Sequence, residues 1–146
     1  MADGGWLVLL APLLPLGVIV LLSRLSGWQR LSEHYPARAD MPRRRKSLGY
    51  GVFRGWIGYN GGLVVAGDDS GLHLAAMPVL LSFCHPRIFI PWSDVREIRK
   101  RRRFFQSYYQ IVALRAPEID FALRGGTFAF VREHASRAGV AGNYQE

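Results

Sequence analysis

The chain has 146 residues, a formal net charge of +8 and one cysteine, Cys84. This length suits one small domain behind any N-terminal segment. A single cysteine excludes an internal disulfide and a thiolate metal cluster within one chain, so nothing in the composition requires an oxidising compartment.

The N-terminal segment 6–22 contains seventeen residues without a charge, and twelve of them are Leu, Ile or Val. Seventeen helical residues extend about 26 Å, slightly less than a bilayer core of about 30 Å. Pro12 and Pro15 would break a soluble helix but are tolerated in a membrane helix, usually with a kink. We therefore predict a transmembrane anchor over residues 1–25. A signal peptide is disfavoured because no Lys or Arg precedes the segment and no Ala-x-Ala-like site follows it; a buried soluble helix is the other alternative.

Basic residues follow this segment but do not precede it. Residues 1–22 contain no Lys or Arg, whereas residues 23–50 contain seven: Arg24, Arg30, Arg38, Arg43, Arg44, Arg45 and Lys46. The positive-inside rule places such a flank in the cytoplasm. The sequence therefore predicts a single-pass protein of the inner (cytoplasmic) membrane, with its N-terminus outside and its C-terminal domain cytoplasmic.

Residues 26–46 are predicted to form a juxtamembrane helix and a basic linker. Apolar side chains recur at spacings of three and four on one helical face: Leu25, Trp28, Leu31 and Tyr35. This face predicts that the helix continues to residue 35 along the membrane interface, with Trp28 at the depth of the lipid headgroups. Pro36 ends the helix.

Residues 47–146 follow a pattern of short strands and turns, which predicts one mainly-β domain. The predicted strands cover residues 48–57, 63–66, 72–77, 87–90, 95–99, 108–115 and 119–124, and a further apolar run covers residues 79–83. Tight turns are predicted at residues 59–62, where Asn60-Gly61 favours positive φ angles, and at residues 68–71. Thr127 is predicted to cap an amphipathic helix that ends near residue 138.

The strongest charge feature of the domain is the basic run Arg99-Lys100-Arg101-Arg102-Arg103. Each Lys or Arg near an anionic membrane contributes about 1 kcal/mol, so this run favours docking on such a membrane or on an acidic protein. A plain solvated hairpin is the alternative. The neighbouring aromatic rings resemble a base-stacking platform, but strand alternation turns about half of them inward. No nucleic-acid partner is therefore predicted.

The sequence predicts no enzyme, cofactor or metal site. The glycines match neither a Walker A loop nor a Gly-x-Gly-x-x-Gly fingerprint between a strand and a helix, and turns or bulges account for them. The four histidines have no metal-ligand spacing: His34, His73, His85 and His134. Asp68 and Asp69 are predicted as turn residues rather than a cation site, and Cys84 as a core thiol.

About seven antiparallel strands followed by a C-terminal helix resemble the pleckstrin-homology (PH) order, which implies a PH-like antiparallel barrel. Residues 72–98 look like bacterial PH-like and GRAM-like domains, through the turn Ile90-Pro91-Trp92-Ser93-Asp94-Val95. The full chain is similar to small bacterial membrane proteins with one N-terminal helix, through residues 28–36 and 85–92. Phosphoinositide-binding PH domains place basic residues around the first hairpin loop. Here the predicted loop, residues 59–62, has none, and only Arg54 is nearby.

These features predict a membrane-anchored, non-catalytic binding or scaffolding module that contacts membrane lipid or a protein partner. The alternative is an accessory subunit of a larger membrane complex, of respiratory or photosynthetic type. The predicted contact residues are Trp28, Arg43, Arg44, Arg45, Lys46, Arg99, Lys100, Arg101, Arg102 and Arg103.

Overall fold

A computed structural model describes residues 5–37, 40–77 and 84–145. Its helices are α1 (Gly5–Leu10), α2 (Leu13–Leu25), α3 (Trp28–His34), α4 (Gly125–Phe128) and α5 (Arg132–Arg137). Its strands are β1 (Lys46–Phe53), β2 (Ile57–Gly67), β3 (Gly71–Ala76), β4 (Ile88–Pro91), β5 (Val95–Arg103), β6 (Gln106–Ala113) and β7 (Phe121–Arg124). The predicted apolar run at residues 79–83 and the linker residue Arg38 lie outside the described residues.

Within the described residues, the seven strands form one antiparallel sheet in the order β4-β3-β2-β1-β7-β6-β5. β1 pairs with β2 on one side and with β7 on the other, and the sheet curls into a half-barrel. Alternate side chains of the strands face the concave side, where Phe53, Ile98 and Phe121 are fully buried. The C-terminal helices add to this core, and the Phe128 ring stacks 4.2 Å from the ring of Tyr109.

The apolar N-terminal segment is divided into two helices. α1 ends at Leu10 and α2 begins at Leu13, because Pro15 lacks the N–H that would bond the carbonyl of Ala11. The 13 residues of α2 extend only about 20 Å. Among the described residues, no helix combines the length and the apolar character that crossing a bilayer requires. The predicted transmembrane anchor and the predicted single-pass location in the inner membrane, with its orientation, are therefore wrong.

α3 is packed inside the domain. Trp28 and Leu31 are fully buried, and the Trp28 ring lies 5.3 Å from Phe53 and 5.6 Å from Tyr59. The indole N–H of Trp28 donates a hydrogen bond to the carbonyl of Pro86 at 2.8 Å. The core therefore begins ahead of the domain boundary predicted at residue 47. Trp28 lies inside this core and not at the depth of lipid headgroups.

The first hairpin turns earlier than predicted. Phe53 pairs with Ile57, so residues 54–56 form the turn. The predicted turn at residues 59–62 lies inside β2, where two extra residues bulge between the pairs Tyr50–Asn60 and Gly49–Leu63. Gly61 has a φ of +72°, so the positive φ expected of the Asn-Gly sequence serves a β-bulge instead of a hairpin end.

The C-terminal region forms two short helices, α4 and α5, instead of the one predicted helix. Thr127 does not cap a helix; its hydroxyl oxygen accepts a hydrogen bond from the backbone N–H of Tyr50 at 2.9 Å. After α5 the chain returns to β5, where the N–H of Ile98 donates to the carbonyl of Ala141 at 2.9 Å. Tyr144 is fully buried, so the C-terminal segment contributes this ring to the core.

Candidate binding surface

The hairpin between β5 and β6 ends in two exposed aromatic residues. Arg103 pairs with Gln106 across the hairpin, so Phe104 and Phe105 alone form its turn. Phe104 is 82% exposed and Phe105 is 99% exposed. The guanidinium of Arg103 lies 5.6 Å over the Phe104 ring, but both rings remain largely in water and form an apolar tip.

The backbone of this tip is strained. Phe104 has a φ of +49° and Phe105 a φ of +64°, the pattern of a type I′ turn, which normally contains Asn-Gly. Positive φ angles are rare for bulky residues and cost roughly 1–3 kcal/mol each. The chain therefore places large rings at the two positions where they fit the backbone least well.

The predicted basic run forms the second half of β5, directly before this tip. The guanidinium of Arg99 lies 2.5 Å from the carboxylate of Glu97, and the Nε of Arg101 donates to the Gln110 side chain at 3.3 Å. The backbone N–H of Lys100 donates to the side chain of Asn143 at 2.8 Å. Arg101, Arg102 and Arg103 are exposed, so the positive charge is densest beside the aromatic tip.

The turn between β1 and β2 lies at the same end of the molecule. Arg103 donates a hydrogen bond from its guanidinium to the carbonyl of Gly55 at 3.2 Å. The next residue, Trp56, is 70% exposed. We define the aromatic–basic end as the six residues that these two turns bring together: Trp56, Arg101, Arg102, Arg103, Phe104 and Phe105.

A groove of about 510 Å³ lies between the two turns. Apolar and basic groups share its walls, including Val52, Arg101, Arg103, Phe104, Tyr108 and Ala122. Asp120 adds one carboxylate to the lining, so two guanidinium groups oppose one negative charge. The groove therefore suits a ligand with an anionic group and an apolar part.

The structure does not bring the second predicted basic run to this end. Arg43, Arg44, Arg45 and Lys46 are exposed, and they lead into the start of β1, whereas Gly55 follows its end. An eight-residue strand extends about 26 Å. The two basic runs are therefore separated by the length of β1, and the guanidinium of Arg44 lies 5.5 Å over the ring of Phe130 instead.

Asp68, one of the two predicted turn residues, accepts hydrogen bonds within the turn between β2 and β3. The Asp68 carboxylate accepts hydrogen bonds from the backbone N–H groups of Ser70 and Gly71, each at 2.9 Å. The ring of His73 lies 2.8 Å from the other carboxylate oxygen. Burial opposes ionisation, but the hydrogen bond from the Ser70 hydroxyl and these other hydrogen bonds outweigh it and lower the pKa of Asp68 to about 2. Within the described ranges, no group of three or more His, Cys, Asp or Glu side chains is arranged to hold a metal ion.

A second polar cluster is buried beneath α3. The Tyr59 hydroxyl donates to the hydroxyl oxygen of Ser26 at 3.0 Å and lies 2.9 Å from Nε2 of His85. Removal from water raises the pKa of Tyr59. All three residues are buried, so this cluster connects α2 and α3 to β2 rather than facing a substrate.

The contact residues predicted from the sequence do not include Trp56, Phe104 or Phe105, although Phe104 and Phe105 belong to the aromatic rings considered there for base stacking. Phe104 and Phe105 stand directly between a basic run and an alternating strand, and that two-residue interval was the available signal for a hairpin tip. Trp56 lies inside the predicted strand 48–57, because the sequence predicts the first turn at residues 59–62.

No family model matches this sequence, and no curated protein is significantly similar to it. The inference of function therefore depends on the geometry of the aromatic–basic end.

Proposed function

We propose that the chain is a non-catalytic binding module that docks its aromatic–basic end on an anionic surface. The observation that carries this proposal is the hairpin in which five consecutive cations lead into the exposed Phe104–Phe105 tip. Arg101 and Arg103 line the adjacent groove, and their guanidinium groups are hydrogen-bond donors of the kind that pairs with carboxylates and phosphates. They suit recognition of an anion better than acid–base catalysis.

We infer further that the domain is PH-like. The curled antiparallel half-barrel, with helices after its last strand, is consistent with that class. In the structure the first hairpin turn contains Arg54 and adjoins Arg103, so it is more basic than the loop expected from the sequence. The proposed surface nevertheless centres on the β5–β6 hairpin, where the cations are consecutive.

The charge of the hairpin sets the strength of binding. Each Lys or Arg near an anionic membrane contributes about 1 kcal/mol, so five give an upper limit of about 5 kcal/mol. Arg99 is paired with Glu97, which lowers this limit. A free energy of about 4 kcal/mol corresponds to a Kd near 1 mM, so charge alone gives weak and reversible binding that salt weakens further.

A charge-reversal experiment tests the proposal. The variant Arg101→Glu/Arg102→Glu changes the hairpin, and the control Arg43→Glu/Arg45→Glu makes the same change in charge at the other end of β1. Binding is measured to phosphatidylserine-containing vesicles and to immobilised polyglutamate at increasing salt. We expect the hairpin variant to lose about 30-fold or more in affinity on at least one surface and the control to lose much less. Equal losses, or binding that salt does not weaken, would contradict the proposal.

A second candidate function rests on the exposed apolar surface of α2. Leu22 packs against the core, but six other apolar side chains of α2 are exposed: Leu13, Leu14, Leu16, Val18, Leu21 and Leu25. A helix that is apolar on all sides is normally buried in a larger structure. This favours the role of accessory subunit, in which a partner protein covers α2. Stoichiometric co-purification that is lost in Leu14→Gln/Val18→Gln, but kept in Arg43→Glu/Arg45→Glu, would support it.

A further inference from the structure

We infer that the anionic surface is a lipid bilayer, into which Trp56, Phe104 and Phe105 insert while the neighbouring arginines contact lipid phosphates. This inference rests on the proposed function and names its partner. It combines rings from two separate turns, 70%, 82% and 99% exposed. The hydrogen bond from Arg103 to Gly55 joins the two turns, so all three rings lie at the same end of the sheet.

The order of groups along the hairpin fits the layers of a bilayer. A strand rises about 3.3 Å per residue, so Arg103 lies about 3 Å and Arg101 about 10 Å behind Phe104. Apolar groups of interfacial proteins enter about 5–10 Å into the headgroup and acyl boundary. Rings at the tip can therefore reach apolar lipid while the guanidinium groups stay among the phosphates. An acidic protein surface would bind the same arginines but would offer no apolar layer to a protruding tip.

The strained backbone of the tip also supports insertion of its rings into a bilayer. The rings of Phe104 and Phe105 contribute almost no packing to the core, since both are exposed. Their positive φ angles are nevertheless unfavourable compared with those of Asn-Gly at the same turn. A costly conformation that adds nothing to the core is typical of a functional site. This conformation exposes the two apolar rings, so we infer that the rings are its functional part.

The replacement Phe104→Asn/Phe105→Gly gives a direct test, because it removes both rings and supplies the residues that a type I′ turn favours. The hairpin is therefore retained, and any loss of binding is not caused by unfolding. Partitioning of the full chain onto vesicles of phosphatidylcholine and phosphatidylserine is measured by sedimentation. We expect the variant to partition at least tenfold less than the wild type. Leu48→Asn is the control. Leu48 lies near the other end of β1, is exposed and also has a positive φ, and this variant should partition like the wild type.

A local readout excludes a contribution from the exposed apolar residues of α2. Vesicles with brominated acyl chains quench tryptophan emission only when an indole enters the lipid. We expect quenching in the wild-type chain, and much less in Trp56→Phe, which removes the exposed indole of the aromatic–basic end. Equal quenching in the two proteins would place the inserted indole elsewhere and would overturn the inference.

The outcomes separate this inference from the proposed function. If Phe104→Asn/Phe105→Gly partitions like the wild type while Arg101→Glu/Arg102→Glu still loses binding, the anionic docking stands and the insertion is refuted. If the aromatic variant weakens binding to polyglutamate as much as to vesicles, the partner is an acidic protein. If charge reversal weakens binding neither to vesicles nor to polyglutamate, the proposed function itself fails.

Discussion

The replacement Trp28→Ala tests whether α3 belongs to the core. The Trp28 ring is fully buried against Phe53 and Tyr59. Truncating a buried Trp to Ala costs about 3–5 kcal/mol. The change also removes the donor to the Pro86 carbonyl, a loss of about 1 kcal/mol if water enters the space. We therefore expect the free energy of unfolding to fall by about 4–6 kcal/mol, a large part of the 5–15 kcal/mol typical of a domain.

Two further variants separate packing from hydrogen bonding. Trp28→Phe keeps an aromatic ring in the core but loses the indole N–H, so we expect a loss of about 1–3 kcal/mol. Gln29 is the next residue of α3 and is exposed. Gln29→Ala should therefore change the free energy of unfolding by no more than about 0.5 kcal/mol.

Urea unfolding of the full chain, followed by far-ultraviolet circular dichroism, measures these differences. A shift of the midpoint at constant slope reports a change in stability and not in the surface exposed on unfolding. If Trp28→Ala costs no more than Gln29→Ala, α3 does not pack on the sheet. The packing of Trp28 against Phe53 and Tyr59 would then be refuted.

Three other changes have expected outcomes. The pKa of Asp68 is about 2 in the folded chain against an ordinary value of 3.8, so the stability that its carboxylate contributes is complete above about pH 4 and is lost as the pH falls through 2. In Asp68→Asn, the loss of stability between pH 4 and pH 2 should be smaller by on the order of 1 kcal/mol, a value that allows for the 40% exposure of the side chain. Urea midpoints measured against pH check this. Gly142 has a φ of +133°, and an added Cβ would lie 1.8 Å from a backbone carbonyl of β5; Gly142→Ala should therefore lower the urea midpoint clearly more than Gly126→Ala, whose Cβ would meet no atom within 4 Å. Phe104→Asn/Phe105→Gly should raise the free energy of unfolding by about 1–3 kcal/mol, and an unchanged or lower midpoint would contradict the strain assigned to the tip.

Local sequence patterns predict most of the strands in the β-rich part of the chain. The alternation of residues 119–124 corresponds to β7, and the turn at residues 68–71 joins β2 to β3. The position of the first turn could not be obtained in the same way. Asn60-Gly61 favours positive φ in a hairpin end and in a bulge alike. The pairing of Phe53 with Ile57, which depends on the whole sheet, decides between them.

The predictions of a transmembrane anchor and of an interfacial helix are also wrong because local sequence does not determine what surrounds a segment. Hydropathy is summed over a window and does not register where a proline interrupts the helix, as Pro15 does here. The helical spacing of Leu25, Trp28 and Leu31 defines an apolar face, but it does not say whether lipid or protein covers that face. In the structure β1, β2 and the segment before β4 cover Trp28, and these segments are distant in sequence.

Stability and binding should respond in opposite directions at the β5–β6 tip. A purely structural pair of residues would lose stability and binding together when replaced, because binding would fall only through damage to the fold. Phe104→Asn/Phe105→Gly is expected to make the hairpin more stable and the vesicle complex weaker. Opposite changes in one variant would show that the two rings are kept for contact with a partner. Parallel changes would show that Phe104 and Phe105 support the hairpin itself and that their exposure has no part in binding.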